Sequence, residues 1–157
     1  MVVGVTGHQD IPDASRTFVK NGIERFFSHL AGEFTGISSL AAGADQLFAK
    51  IVVRLGGQLH IIIPCSKYEM TFKDTRDLDD FRDLLKKATF VETLNHIHPS
   101  GKAFLEAGYR VVELSQVLIA VWDGRNAKGK GGTADIVRYA RDRGTEVVVV
   151  WPSGSAR

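Results

Sequence analysis

A glycine-rich, basic loop follows one apolar segment of the sequence and precedes a segment with helical spacing. Gly131 and Gly132 allow consecutive backbone N–H groups to wrap around an anion, and Thr133 adds a hydroxyl group at the start of the helix. The side chains of Lys128 and Lys130 supply positive charge that is complementary to phosphate. These residue types in this order predict a phosphate-binding loop.

The same loop also has a purely structural interpretation. Thr133 is a suitable N-cap, and Asp135 in the first turn compensates the helix dipole. Arg138 follows three residues later on the same face and forms an exposed ion pair with Asp135. This interpretation accounts for three residues, but it leaves the glycine pair and the two lysines unexplained.

Another candidate loop, T-G-H-Q-D, begins where the first apolar segment ends. Gly7 has no Cβ, so it permits either the close approach of a ligand or a tight turn between strand and helix. His8 and Gln9 at the rim of this turn are harder to explain by packing alone. The loop lacks the usual G-x-G-x-x-G dinucleotide fingerprint, so we predict ligand contacts by Gly7, His8 and Gln9 without that motif.

The segment S-S-L-A-A-G-A-D-Q-L leads from a predicted strand directly into a helix. Its small residues, including Gly43 and Ala44, leave the first N–H groups of the helix uncovered, which suits an anion. Asp45 either compensates the helix dipole or binds ribose hydroxyl groups. Asp123, directly after another predicted strand, is expected to face the ligand and bind a hydroxyl group.

Apolar strand patterns alternate with helical patterns along the chain, which predicts a Rossmann-like α/β fold. Because the strands are almost fully apolar, we expect a parallel sheet of about five strands with helices on both faces. The strands are predicted at residues 1–6, 35–40, 59–63, 117–122 and 146–151. In such sheets ligands bind at the carboxyl ends of the strands, which is where the glycine-containing loops lie.

The length of 157 residues and the hydrophobic content of 44% fit one domain with a sizeable core, predicted at residues 1–152. The polar segment at about 66–100 interrupts the alternation and is predicted to be an insertion, with a helix at 78–88 and a possible short strand at 90–93. Residues 153–157 are expected to form a disordered tail.

Composition restricts the location and partners of the protein. A formal net charge of +2 without a Lys and Arg stripe makes nucleic acid an unlikely partner. The single cysteine excludes an internal disulfide and fits a reducing compartment, and no apolar run is long enough to span a bilayer. We therefore expect a cytoplasmic protein without membrane association.

Several side chains have weaker claims to a function. His96 and His98 would share one face of a strand, but no third ligand has suitable spacing, so no metal site is predicted. Cys65 is interpreted as a buried or rim residue rather than a nucleophile. Tyr68 and Phe72 either stack on a base as a lid or pack under the loop.

The order of these motifs resembles the SLOG superfamily of Rossmann-like nucleotide-binding domains. The similarity is carried by T-G-H-Q-D, S-L-A-A-G-A-D-Q-L-F-A, I-P-C, A-G-Y-R-V-V-E-L-S-Q-V-L-I-A-V-W-D-G and K-G-G-T-A-D-I-V. The superfamily includes LONELY GUY-type phosphoribohydrolases and the core of DNA-processing protein A. The resemblance implies nucleotide phosphate and ribose contacts at Gly7, Gly43, Gly131, Gly132 and Thr133, and a homodimer formed through crossover helices.

The resemblance also suggests catalytic residues. The phosphoribohydrolases carry P-G-G-x-G-T-x-E-E, whose first glutamate assists cleavage of the N-glycosidic bond. Asp135 occupies that position here, one methylene shorter, and the proline and part of the glycine spacing are missing. Arg110 is the nearest candidate for the arginine that these enzymes use from the neighbouring helix.

Three functions remain open from the sequence. The first is binding or sensing of a nucleotide or its derivative, such as a nucleoside monophosphate or an ADP-ribose-like compound. The second is an N-glycoside hydrolase that releases the base from a nucleoside 5′-monophosphate, with Asp135 and Arg110 as the working pair. The third is a DNA-associated interaction module. No cofactor is predicted for any of them.

Overall fold

The computed structural model describes residues 1–125 and 132–153. Its centre is a parallel sheet of six strands in the order β4-β3-β2-β1-β5-β6. The strands are β1 Val2–Gly7, β2 Thr35–Ser38, β3 Gln58–Ile63, β4 Phe90–Thr93, β5 Val117–Val121 and β6 Glu146–Val149. The Rossmann-like α/β fold predicted from the sequence is thereby confirmed, with six strands instead of about five.

Five α-helices connect the strands, and a short 3-10 helix, Tyr68–Thr71, precedes the third of them. The α-helices are α1 Asp13–Ser28, α2 Ala44–Arg54, α3 Thr75–Lys86, α4 Gly101–Leu114 and α5 Thr133–Asp142. Helix α3 begins three residues before the predicted helix at 78–88 and ends two residues before the predicted end. The predicted phosphate-binding residues Lys128, Lys130 and Gly131 lie outside the described residues.

Alternating side chains of the central strands build two separate cores, as the two-residue period of a strand requires. Ile61 and Ile63 of β3 pack with α1, α2 and α3, whereas Ile62 packs on the opposite face with α4 and α5. In β5, Ile119 and Val121 belong to the first core and Leu118 to the second. Both faces are apolar, which explains the continuous hydrophobic runs in the sequence.

The strand beyond the five expected is β4, which lies at the edge of the sheet beside β3, with His60 opposite Phe90. Together with the 3-10 helix and α3, it occupies the segment that was predicted to be an insertion. Its side chains are exposed, 62% for Phe90 and 50% for Val91. An edge strand of this kind lacks the buried apolar run that identifies the central strands, so the sequence gives only a weak indication of it.

Candidate functional site

A cleft of about 840 Å³ opens at the carboxyl ends of the strands. The strand order reverses there, because β2 lies on one side of β1 and β5 on the other. Such a switch point is the usual ligand site of an open parallel sheet. The lining comes from the end of β1, Arg125 after β5, the first turns of α2 and α5, one face of α4, the 3-10 helix, and residues beside α3.

Gly7 ends β1 opposite Val121 of β5. A Cβ atom on Gly7 would lie 2.5 Å from the Cβ of Ala44 and 2.7 Å from the Cβ of Val121. Packing between β1, α2 and β5 therefore requires glycine at this position, independently of any ligand. Gly7 also lines the cleft, so the close approach that was predicted for it remains geometrically open.

His8 is 5% exposed and joins the ends of β1 and β5. Its Nε2 lies 3.1 Å from the backbone nitrogen and 3.2 Å from Oδ1 of Asp123. The imidazole also meets the indole of Trp151 edge to face, with ring centroids 5.3 Å apart. His8 therefore borders the cleft mainly as a support of its floor, while its neighbour Gln9 is exposed at the rim.

Asp123, which was predicted to bind a ligand hydroxyl, is turned into the protein. Its side chain is 1% exposed, and its Oδ1 accepts a hydrogen bond from the backbone nitrogen of Arg125 at 3.0 Å. The indole nitrogen of Trp122 donates to the carbonyl of Arg125 at 2.8 Å. Asp123 therefore shapes the turn after β5, and among the described residues of this turn the exposed Arg125 lines the cleft.

The loop before α2 is pressed against the end of β1. Gly43 has a φ of 83°, and a Cβ atom there would lie 2.3 Å from the carbonyl oxygen of Gln9. The backbone nitrogen of Ala44 donates to the carbonyl of His8 at 3.1 Å. Leu40 also has a positive φ, 58°, and is fully buried. The conformation of this loop is therefore fixed by its own backbone.

Asp45 lies in the first turn of α2, lines the cleft and is 9% exposed. Its Oδ2 accepts a hydrogen bond from the backbone nitrogen of Ala41 at 3.3 Å. Burial raises the pKa of this carboxyl group to about 7, although hydrogen bonds from Ala41 and Ser39 oppose the shift. A carboxyl group that titrates near neutral pH inside a cleft is a typical feature of functional sites.

Gly132 and Thr133 bring the first turn of α5 to the same cleft. Gly132 is the N-cap, so Thr133 is the first helical residue and not the cap that the structural interpretation assumed. No side chain of the described residues caps α5 or α2. In α2 the backbone N–H groups of Ala44 and Gln46 already donate to the carbonyls of His8 and Ala41. The positive end of a helix dipole attracts anions, and two such helix ends border one cleft here.

The structure does not bring the suggested catalytic pair together at the cleft. Asp135 lies 3.7 Å from Arg138, which confirms the exposed ion pair of the structural interpretation. Arg110 donates to Glu92 of β4 through two nitrogens, at 2.7 and 3.1 Å. Within the described part of the chain, neither Asp135 nor Arg110 lines the cleft.

The 3-10 helix and α3 close one side of the cleft. Tyr68 is 4% exposed and packs edge to face against Phe72, Phe81 and Phe104, at centroid distances of 5.5, 5.6 and 6.4 Å. Packing under the loop is therefore the main role of Tyr68, although it still borders the cleft. Cys65 is fully buried behind it.

Sequence reasoning missed the acidic rim on this side of the cleft, formed by Asp10, Asp74 and Asp77. Gln46 of α2 joins the two sides because its Nε2 donates to the carbonyl of Asp77 at 2.9 Å. The basic side chains Lys73 and Arg125 also line the cleft. Residues so distant in the sequence form no motif, so only the fold reveals the rim.

Two further predictions concern a metal site and a membrane-spanning segment. His96 contacts Glu106, and among the described residues no group of three or more His, Cys, Asp or Glu side chains is arranged to hold a metal ion. No helix in the described ranges is both long and apolar enough to cross a membrane.

No protein-family model and no curated protein matches the chain. Among solved structures, it is similar to DNA processing protein A from Helicobacter pylori, at 17% identity and a TM-score of 0.70, over 95% of this chain and 64% of that one. It is also similar to DNA processing protein A from Streptococcus pneumoniae, at 18% identity and a TM-score of 0.68, over 94% of this chain and 49% of that one. A third similar structure is that of a protein named TM1055, at 14% identity and a TM-score of 0.58, over 93% of this chain and 71% of that one.

The chain thus spans less than two thirds of the two DNA processing proteins. At these identities the similarity concerns the fold. The chain has the α/β Rossmann-like fold of these proteins, which is consistent with the resemblance to the SLOG superfamily.

Proposed function

We propose that the protein is a SLOG-type domain that binds a nucleotide or nucleotide derivative in the cleft at the β1–β5 switch point. The observation that carries this proposal is the convergence of two helix N-termini without a side-chain cap, those of α2 and α5, on one cleft. Both ends turn the positive end of a helix dipole towards the cleft, and neither has a side-chain cap among the described residues. The volume of about 840 Å³ is within the range of small-molecule sites.

The two sides of the cleft differ in charge, and this favours a small ligand over a polymer. Arg125 and the hydroxyl group of Thr133 stand beside α5 and suit a phosphate. Asp10, Asp74 and Asp77 stand on the opposite side and suit groups that donate hydrogen bonds, such as ribose hydroxyls or an exocyclic amine. A nucleotide has both kinds of group within one molecule.

Single-stranded DNA is the second candidate ligand, because the Helicobacter pylori DNA processing protein A is described as binding it. Because of this similarity, the low net charge of the chain and its lack of a Lys and Arg stripe are not enough to exclude nucleic acid as a ligand. A polyanion that passed along the cleft would meet the aspartates of the rim, and such repulsion weakens phosphate contacts. The rim therefore favours the mononucleotide, and DNA becomes an explicit arm of the test.

The test measures the melting temperature of the protein with adenosine 5′-monophosphate, ADP-ribose and a short single-stranded oligodeoxynucleotide. A ligand that binds only the folded state raises the melting temperature, and the stabilisation grows with the logarithm of the ligand concentration above Kd. We expect a rise of several degrees at a ligand concentration of about 100 times Kd. The same mixtures are analysed for free adenine, whose release would establish the hydrolase alternative.

Two matched variants connect the result to the cleft. Thr133→Val removes the hydroxyl group beside α5, and Thr17→Val makes the same change on the exposed face of α1. We expect Thr133→Val to weaken nucleotide binding about tenfold and Thr17→Val to leave it unchanged. Stabilisation by the oligodeoxynucleotide alone, or equal effects of the two variants, would contradict the proposal.

A further inference from the structure

The two helix N-termini of the cleft differ because α2 carries a buried carboxyl group of its own. Asp45 stands in the first turn of α2 and is held by the backbone nitrogen of Ala41. Its neighbours in the described residues give it hydrogen bonds from the backbone but no cationic partner. In α5, the corresponding face of the first turn presents Thr133 and Ala134 to the cleft.

No ion pair of the described residues joins Asp45 to a basic side chain. Tyr68 of the 3-10 helix is a buried neighbour of Asp45, and Cys65 after β3 is a neighbour of Tyr68. Burial raises the pKa of both Tyr68 and Cys65, so both are uncharged near neutral pH. The rim beyond them adds Asp74 and Asp77, with Lys73 exposed outside. This end of the cleft is therefore electronegative when Asp45 is ionised.

A phosphate group at the N-terminus of α2 would lie against this carboxylate. Two negative charges at short distance in a site of low dielectric constant repel each other strongly, and the repulsion opposes the attraction of the helix dipole. The N-terminus of α5 has no such carboxylate facing the cleft among the described residues. The two ends thus accept different chemical groups.

We propose that Asp45 determines the ligand specificity of the cleft by excluding a phosphate from α2. The anionic group of the ligand then lies at α5, and an uncharged group that donates hydrogen bonds, such as a ribose hydroxyl, faces Asp45. This inference rests on the proposed nucleotide binding and adds the orientation of the ligand. It also restricts the ligand class to nucleotides that carry phosphate at the 5′ position of the ribose and none at the 2′ or 3′ position.

Protonation of Asp45 changes this selection. Because burial raises the pKa of Asp45 to about 7, the carboxyl group is mostly ionised at pH 8 and mostly protonated at pH 6. The protonated form carries no charge and can donate a hydrogen bond to a phosphate oxygen. The exclusion of a second phosphate is therefore present at pH 8 and relaxed at pH 6.

The experiment measures affinities by calorimetry at pH 8 for adenosine 5′-monophosphate and for adenosine 2′,5′- and 3′,5′-bisphosphate. The two bisphosphates each add a phosphate to one ribose hydroxyl. For the natural protein we expect the monophosphate to bind at least about tenfold more tightly than the better bisphosphate. For Asp45→Asn we expect this preference to fall to about twofold or less.

Asp13→Asn is the matched control, since Asp13 is an exposed acidic residue in the first turn of α1 and does not line the cleft. We expect it to keep the preference of the natural protein. A second measurement needs no variant: from pH 8 to pH 6 the preference of the natural protein should fall. The phosphate groups of the ligands also titrate between pH 8 and pH 6. The change in preference that Asp45→Asn shows over the same pH range measures their contribution.

The possible failures are distinguishable. If none of the three nucleotides binds either the natural protein or Asp45→Asn, the proposed function fails and the inference falls with it. If the monophosphate binds but the preference is the same in the natural protein, Asp45→Asn and Asp13→Asn, only the role of Asp45 is overturned. Should Asp45→Asn fail to fold, an unchanged preference of the natural protein between pH 8 and pH 6 would overturn that role.

Discussion

His8 and Asp123 join the two strands at which the order of the sheet reverses. Nε2 of His8 lies 3.1 Å from the backbone nitrogen of Asp123 and 3.2 Å from its Oδ1. The two contacts require opposite states of Nε2, because it accepts a hydrogen bond from the N–H only when unprotonated and donates to the carboxylate only when protonated. In either state, His8 holds the floor of the cleft together.

Replacement of His8 by alanine should therefore destabilise the protein. The change removes the Nε2 acceptor of the backbone nitrogen of Asp123 and the ring that packs on Trp151. We expect a loss of about 2–3 kcal/mol in the free energy of unfolding, measured by urea denaturation. His98→Ala, at an exposed position, should change it by less than about 0.5 kcal/mol. Equal losses would argue against a structural role of His8.

Gly43 provides a test of how the cleft is built, because the chain contains a control glycine with nearly the same positive φ. Gly43 and Gly56 have φ angles of 83° and 82°, but only Gly43 has atoms in the space of a Cβ. Gly56→Ala should cost about 1 kcal/mol through backbone strain alone. Gly43→Ala adds a clash with the carbonyl oxygen of Gln9 and should cost at least about 2 kcal/mol more.

The measurement is the free energy of unfolding of both glycine variants in urea, followed by nucleotide binding to the folded fraction. We expect Gly43→Ala to weaken binding as well, because the clash moves the first turn of α2 away from the end of β1. Equal costs for the two substitutions would mean that the loop before α2 can shift freely, which would contradict the fixed geometry described here.

Asp45 should make the stability of the protein depend on pH. Its pKa is about 7 in the folded protein and 3.8 as an ordinary value, so the folded state holds a proton that the unfolded state loses between these limits. Stability therefore falls as the pH rises from about 4 to 7 and is constant above that range. In Asp45→Asn this fall should disappear.

The size of the effect is on the order of 2–4 kcal/mol between pH 4 and pH 8. Urea denaturation of the natural protein, Asp45→Asn and the control Asp13→Asn at both values measures it. We expect Asp45→Asn to gain stability over the natural protein at pH 8, where the buried charge is costly, and little at pH 4. A pH dependence shared by all three proteins would assign it to other groups.

The fold could be predicted because its central strands are apolar on both faces. The run Val117–Val121 is buried at every position, and the strand predicted at 117–122 ends only one residue beyond β5. The strand β4 was less accessible to prediction because Phe90 and Val91 are exposed at the edge of the sheet. Periodicity identifies a strand only when burial imposes it.

The candidate site was predicted as a set of loops, but the orientation of individual side chains was not. Asp123 follows β5 as expected, yet it faces His8 and the turn instead of the cleft. Burial raises the pKa of Asp45, and its neighbour Tyr68 is 23 positions later in the sequence. Such contacts depend on tertiary packing, which no local spacing encodes.

Asp135 and Arg110 allow the motif-based hypothesis and the geometry to be compared directly. The motif predicts that both residues perform hydrolysis, whereas the geometry pairs Asp135 with Arg138 and Arg110 with Glu92, away from the cleft lining. We therefore expect Asp135→Ala and Arg110→Ala to change nucleotide affinity by less than about twofold. Their effect on stability should stay within about 1 kcal/mol, because both ion pairs are partly exposed.

Calorimetry with adenosine 5′-monophosphate measures the affinities, and chromatography of the same samples detects released adenine. Thr133→Val serves as the reference, since it changes a residue that lines the cleft beside Asp135. Loss of binding in Thr133→Val but not in Asp135→Ala would support a binding cleft without this catalytic pair. If instead adenine is released by the natural protein and not by Asp135→Ala or Arg110→Ala, the ligand must draw both residues into the site, and the hydrolase hypothesis replaces the binding one.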